Sequence, residues 1–416
     1  MTDHASARTQ LAAELAHWRD ACDALRDLDS VAAPAAWAAV EQYLSLKIRD
    51  RLNSSTLALA SEAVTLERLF ATGASVDTTR AAMLNLRHKY LQVETVLDFY
   101  GDAVNTRTSP ALASLLRGLD VLAFQSLDAP LRQLGQEAPP VLTYVDKGLG
   151  ASILRAGVRL WDDANPSPVA AIKVTRHNLS HFTAIFHECG HQFGHQTGWN
   201  AELADRLETV LRPRSAELAT LWRGWVSEVA SDVFAFVTTG SAPLPALANV
   251  LDGTTAQVYR FNAFDPHPIA WLRVIFNGAL CRRWYGAGPW DTIVRAWWDR
   301  HPPDFAPLNV RLLIRMSLEA LSDIVDTCVK APMHSFGGRT LENLCDPRRV
   351  APGALAQLVR SSGGTLLTSD HLRRTVPLLV VAHLSTLGPR RTATTDLRHW
   401  VSSLDPTGTT SHRFAA

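Results

Sequence analysis

The chain has 416 residues, 47% hydrophobic and 19% charged, which is apolar enough for a sizeable core and excludes a disordered chain. Its 41 basic and 40 acidic residues leave a formal charge of +1, so there is no electrostatic case for nucleic acid or an anionic membrane surface as partner. Five scattered cysteines without a CxxC pair exclude a disulfide framework and a thiolate metal site. The opening residues MTDHASARTQ lack the layout of a signal peptide, and the longest apolar run, near Pro377–Leu384, is far short of the ~20 residues that span a bilayer. A cytoplasmic protein without membrane insertion is expected.

Residues 1–138 read as a helical N-terminal domain. Leu11–Leu28, Ala36–Arg51, Leu57–Phe70 and Thr79–Tyr100 space their apolar residues by three and four, the period of a helix with one buried face. Asp77 and Ser109 suit N-caps, and Pro110 suits a first helical turn. The pattern changes at Ala138–Pro140. PVLTYV, SILRAGVRLW and PVAAIKVT are short, β-branched and separated by Gly, Asp and Pro, so they predict a small, mostly antiparallel sheet. Helical patterns return from Ser180 to the C-terminus, and the polar stretch after Pro406 reads as a frayed tail. The expected fold is α+β and predominantly helical, with a core over 139–286 and a helical region over 287–416. Nothing in the sequence speaks to oligomeric state.

The chemistry concentrates in SHFTAIFHECGH, residues 180–191. His187 and His191 are one helical turn apart, so both imidazoles face one side and can share a metal ion. Glu188 sits beside them, placed to act on a metal-bound water. Ser180 is the expected cap of this helix. Strand PVAAIKVT precedes it, as binding of an extended peptide by strand addition would need. The bland alternative is a structural helix with two core histidines. Cys189 lies ~200° around the helix from His187 and should pack into the core. His195 lies about 12 Å from His187 along the same helix, too far to share its metal.

Zinc takes three protein ligands and keeps a fourth position for water in catalytic sites. The best third ligand is Glu228, in GWVSEVASDVF, with Asp232 four residues on along the same helical face. Asp232 is then placed to accept the other ring N–H of a ligating histidine and fix its tautomer. Glu217, read as part of the same helix, is ~16 Å away along it and cannot share that role. Their aromatic and aliphatic neighbours argue against bare carboxylates on a solvated face. Tyr259 and Arg260 are candidates to line a cleft. Tyr144, Asp146 and Lys147 read as turn chemistry, His334 as a loop residue, and Trp290, Trp297 and Trp298 as core.

With these residues in hand, the chain resembles the gluzincin class of zinc metallopeptidases. The Glu-x-x-Ser-Asp segment is similar to stretches of thermolysin and of HtpX-type and CAAX-prenyl endopeptidases. His267-Pro268, with Arg273 six residues beyond the histidine, is similar to the His-Pro-x4-Arg segment of the HtpX-type enzymes. The three motifs lie in order over roughly 180–273. The resemblance implies a zincin-like core and one Zn2+ per chain, bound by His187, His191 and Glu228. It also implies hydrolysis of a peptide or protein substrate by a zinc-activated water, with Glu188 as general base. His267 would donate to the oxyanion across the cleft, with Arg273 orienting that face through a carboxylate such as Asp232. His267 and Arg273 are expected at the start and second turn of a helix opened by Pro268. Two other functions fit the same residues: a zinc-dependent hydrolase of a non-peptide amide, and a non-catalytic zinc-binding scaffold.

Overall fold

Helix accounts for 73% of the computed structural model, which describes residues 2–157, 167–388 and 391–407. The chain divides into two compact units. One holds Met1–Ala113 and Leu154–Ala171; the other holds Ser114–Ile153 and the described residues from Ile172 onward. No helix among the described residues is long and apolar enough to cross a membrane.

The first unit is built from α1 (Thr2–Ala24), α2 (Pro34–Leu44), α3 (Ile48–Ala71) and α4 (Val76–Asn105). The expected continuous helix over Ala36–Arg51 is two helices. Ser45 adopts the left-handed conformation at φ 56° and closes α2 by bonding to the Gln42 and Glu41 carbonyls. The Glu41 carboxylate accepts from the Arg49 backbone N–H at 2.8 Å, satisfying an orphan donor at the start of α3. Ser75, rather than Asp77, caps α4 by accepting from Thr78 N.

The division between the units falls inside α5 (Pro110–Gln133), which starts on Pro110 as expected. Asp120, fully buried on α5, accepts from Thr143 N at 2.7 Å and Thr143 Oγ1 at 2.8 Å, tying β1 (Val141–Asp146) to the helix. The sheet adds β2 (Ser152–Leu154) and β3 (Ala170–Thr175) in the order β1-β3-β2. It is mixed rather than mostly antiparallel. Residues 158–161 of the expected second strand lie outside the described residues. The strand preceding the HECGH helix is β3, paired on both sides, so it cannot take up another strand; among the described residues β1 and β2 are the outer strands. Tyr144 is a buried residue of β1, not part of a turn. Residues 408–416 of the expected frayed tail also lie outside the described residues, while Thr407 bonds to Asp405.

From β3 the chain enters α6 (Ala184–Thr197), α7 (Trp199–Leu211), α8 (Ala216–Gly224), α9 (Val226–Thr239), α10 (Pro243–Leu251), α11 (Thr255–Val258), α12 (Ala270–Tyr285), α13 (Pro289–Arg300) and α14 (Leu308–Lys330). Shorter helices follow to Ser402. Phe193 of α6 packs its ring on Trp199, Phe234 and Phe336, contacts worth ~0.5–1.5 kcal/mol each beyond their burial. Trp290 and Trp297 are core as expected, but Trp298 is 41% exposed.

Helices α6 and α9 are in backbone contact at Gly190. A Cβ there would stand 2.5 Å from Ser231 Cα and 3.0 Å from Phe234 Cβ, so only glycine permits this crossing. Because the same crossing brings the histidines to Glu228, Gly190→Ala should cost stability, by ~1–3 kcal/mol for overpacking, and weaken metal uptake with it. Thermal unfolding together with metal titration of that variant checks both effects.

Candidate metal centre

Helix α6 begins later than the sequence implies. Ser180 ends a short 3-10 turn, Arg176–Ser180, and Thr183 occupies the N-cap position without a side-chain cap bond. The later start leaves the histidine spacing untouched, and the His187 and His191 ring centroids lie 4.8 Å apart. Across the crossing, Glu228 and Asp232 lie one turn apart on α9. Trp225 separates α8 from α9, so Glu217 is on a different helix, and it is exposed.

Glu228 bridges the two rings: Oε2 is 3.3 Å from His187 Nε2, and Oε1 is 3.2 Å from His191 Nε2. Each ring is anchored through its other nitrogen. His187 Nδ1 is 2.8 Å from Asp232 Oδ1, and His191 Nδ1 is 3.1 Å from Ser227 Oγ. Both Nε2 atoms are thereby turned toward the Glu228 carboxylate. Among the described residues, His187, His191 and Glu228 form the group that could hold a metal ion, with ligand atoms all within 4.8 Å of one another. Ligands ~2.0–2.1 Å from a tetrahedral ion stand about 3.4 Å apart, so the residues present fit such an ion. His195 is exposed and outside this group. Cys189 is buried with its Sγ 3.7 Å from the Ala123 carbonyl, and burial pushes the thiol up to about 12.

The electrostatics also favour a cation. Glu188, Glu228 and Asp232 are buried carboxylates, and Arg273 is the buried guanidinium among them. Arg273 grips Asp232 through Nε at 2.7 Å and Nη2 at 2.8 Å, and its Nη2 lies 3.1 Å from Glu228 Oε2. Asn277, one turn further along α12, donates to Asp232 Oδ2 at 3.1 Å. Burial disfavours the charged forms of Glu228 and Asp232. Hydrogen bonds from His187 and His191 for Glu228, and the Arg273 charge for Asp232, outweigh it and hold both well below the usual carboxylate range. Burial raises Glu188, only partly offset by the charges of His187 and His191. For His187 burial favours the neutral ring, yet the bonds to Asp232 and Glu228 prevail and raise it to about 10. A proton and a metal ion therefore compete for the His187 ring.

The expected placement of His267 needs correction. Helix α12 starts at Ala270 with Ile269 at its N-cap, so His267 and Pro268 precede the helix and Arg273 stands in its first turn. Asp265 holds the loop. Its Oδ1 accepts from the His267 backbone N–H at 3.0 Å and lies 2.7 Å from His267 Nδ1. Those bonds hold the Asp265 carboxyl below its usual range. His267 is 58% exposed, with Nε2 3.7 Å from Glu228 Oε1. Arg273 reaches the expected partner, Asp232.

Three participants escaped the sequence reading: Ser227, Asn277 and Asp265 in its clamp on His267. Helical spacing could have found Asn277, since it follows Arg273 by four. His334 lies in a 3-10 turn, where its backbone N–H donates to Glu202 Oε1 at 2.7 Å. Compared with protein-family models, with curated proteins and with solved structures, the chain matches none.

Glu228→Ala should abolish tight metal binding. Asp232→Asn should weaken it by the ~10–100-fold expected for a partner that orients a ligand, while His195→Ala and Glu217→Ala should change it little. Because the metal must displace the His187 proton, apparent affinity should fall as the pH is lowered, with proton release on binding near neutrality. Calorimetric titration in buffers of different ionisation enthalpy reads the affinities and the proton count together.

Proposed function

We propose that this protein is a zinc-dependent metallopeptidase of gluzincin type, cytoplasmic, holding one zinc ion per chain and acting on peptide or protein substrates. The observation that carries the reading is the convergence of two anchored imidazole Nε2 atoms on the Glu228 carboxylate, with Glu188 buried beside them. A bound zinc ion would lower the pKa of a water toward about 7 and polarise the scissile carbonyl.

The remaining work falls to side chains. Glu188 takes the proton from the attacking water and delivers it to the leaving amine. The buried position that raises its proton affinity suits a group that must hold that proton between the two steps. Arg273 and Asn277 fix Asp232, and Asp232 fixes the His187 ring, so the ligand geometry is set before substrate arrives. His267 faces Glu228 from the α11–α12 loop and donates from Nε2 to the oxygen on which charge develops. Nδ1 is engaged with Asp265 at 2.7 Å, which leaves Nε2 as the nitrogen that faces Glu228.

Glu188→Gln should keep its zinc and lose hydrolysis, because Glu188 serves the water rather than the metal. Turnover retained in a clean preparation of that variant contradicts the mechanism. His267→Ala should lower kcat by ~100–1000-fold, the loss seen for one oxyanion donor, with zinc content unchanged. Steady-state kinetics and metal analysis on the same preparation check it, and a near-normal kcat would reduce His267 to a loop clamp.

A further inference from the structure

The loop that presents His267 has a second feature at its other end. Tyr259, Arg260 and Phe261 line a recess of about 490 Å³ together with Phe305, Pro307 and Val310. That volume lies within the ~300–1,000 Å³ of small-ligand pockets. The lining is mostly apolar, and Phe305 within it is 72% exposed, so its ring is accessible to a ligand. Arg260 is the charged side chain among the lining residues, and Ala256, Phe261, Phe305, Pro307 and Val310 supply apolar surface, so the recess suits apolar bulk.

The recess is bolted to the helix that carries Arg273. Tyr259 stacks on Trp271 of α12 with centroids 6.3 Å apart. The Tyr259 hydroxyl at 2.6 Å and Trp271 Nε1 at 2.9 Å both donate to the His301 carbonyl. His301 is itself buried, with Nε2 3.0 Å from Asp252 Oδ1. Arg273 stands two residues beyond Trp271, in contact with Glu228 and Asp232. From Phe261 to His267 is six residues, at most ~20 Å of chain, and turns at Asn262–Asp265 shorten it. An extended peptide advancing ~3.3 Å per residue covers that span in a few residues.

We propose that this recess is a specificity subsite that takes one large apolar side chain of the peptide substrate, a few residues from the bond that is cleaved. The proposal rests on the peptidase reading for the reaction, and on the shared loop and helix for its continuity with the metal centre. Phe261 and Phe305 are its specificity-determining residues.

The probe is a series of Gly/Ser/Ala decapeptides in which a single Phe is moved along the sequence. Binding is measured to the zinc-loaded Glu188→Gln protein by fluorescence anisotropy, and cleavage by the zinc-loaded unmodified protein by mass spectrometry. The expected result is binding at least tenfold tighter with Phe than without, and cuts at one fixed offset from the Phe. Ala256→Trp, an exposed position lining the recess, fills it and should remove the preference at least tenfold; Phe305→Ala should weaken it severalfold. Cleavage without a fixed offset, or binding indifferent to Phe and to Ala256→Trp, overturns the subsite and leaves the peptidase reading standing. Phe-dependent binding lost in Ala256→Trp, without cleavage of any peptide, upholds the subsite and overturns the peptidase reading. Neither binding nor cleavage overturns both.

Discussion

The crossing of α6 over α9 governs everything at the centre. Gly190 lets the two backbones meet at Ser231, one helical turn of α6 beyond Phe186 and three residues past Glu228 on α9. With the axes this close, His187 and His191 reach Glu228 from one side while Asp232 meets the outer nitrogen of His187. A larger residue at the crossing would push the two helices, and with them the donors, apart. The glycine inside HECGH is thus a structural requirement of this site, set between the residues that carry its chemistry.

Close packing alone would leave the site electrostatically unfavourable, because buried carboxylates without partners are costly. The chain answers with a layered arrangement. Arg273 forks onto Asp232 and touches Glu228, Asn277 adds a further donor, and Ser227 meets His191. One guanidinium still stands among three carboxylates. That imbalance favours one further positive charge, and it is the physical argument that the position is suited to a cation. The exposed His267 differs in kind: it is held by Asp265 on a loop rather than by the core, as a group that must meet an incoming ligand would be.

The sequence made much of this legible, because helical spacing is a local property. His187 with His191, Glu228 with Asp232, and the helical predominance of the fold all follow from periodicity. What periodicity could not supply was where helices stop. Ser45 breaks a continuous apolar pattern with a left-handed residue that is not glycine. Trp225 splits α8 from α9 amid residues that favour helix. Pro268, a good first-turn residue, sits two residues before α12 begins. At the first and last of these, side-chain bonds to the backbone compete with helical continuation: Glu41 accepts from Arg49 N, and Asp265 accepts from His267 N. Sheet order was equally hidden, since pairing partners of β3 are chosen across space and not along the chain.

The ligand set of the ion is what defines this centre. X-ray absorption spectroscopy of the zinc-loaded protein reads it directly. The prediction is one zinc in a four-coordinate nitrogen and oxygen environment at ~2.0–2.1 Å, with the multiple-scattering signature of two imidazoles, one of them lost in His187→Ala. A sulfur shell at ~2.3 Å, or a spectrum unchanged by His187→Ala, would contradict it.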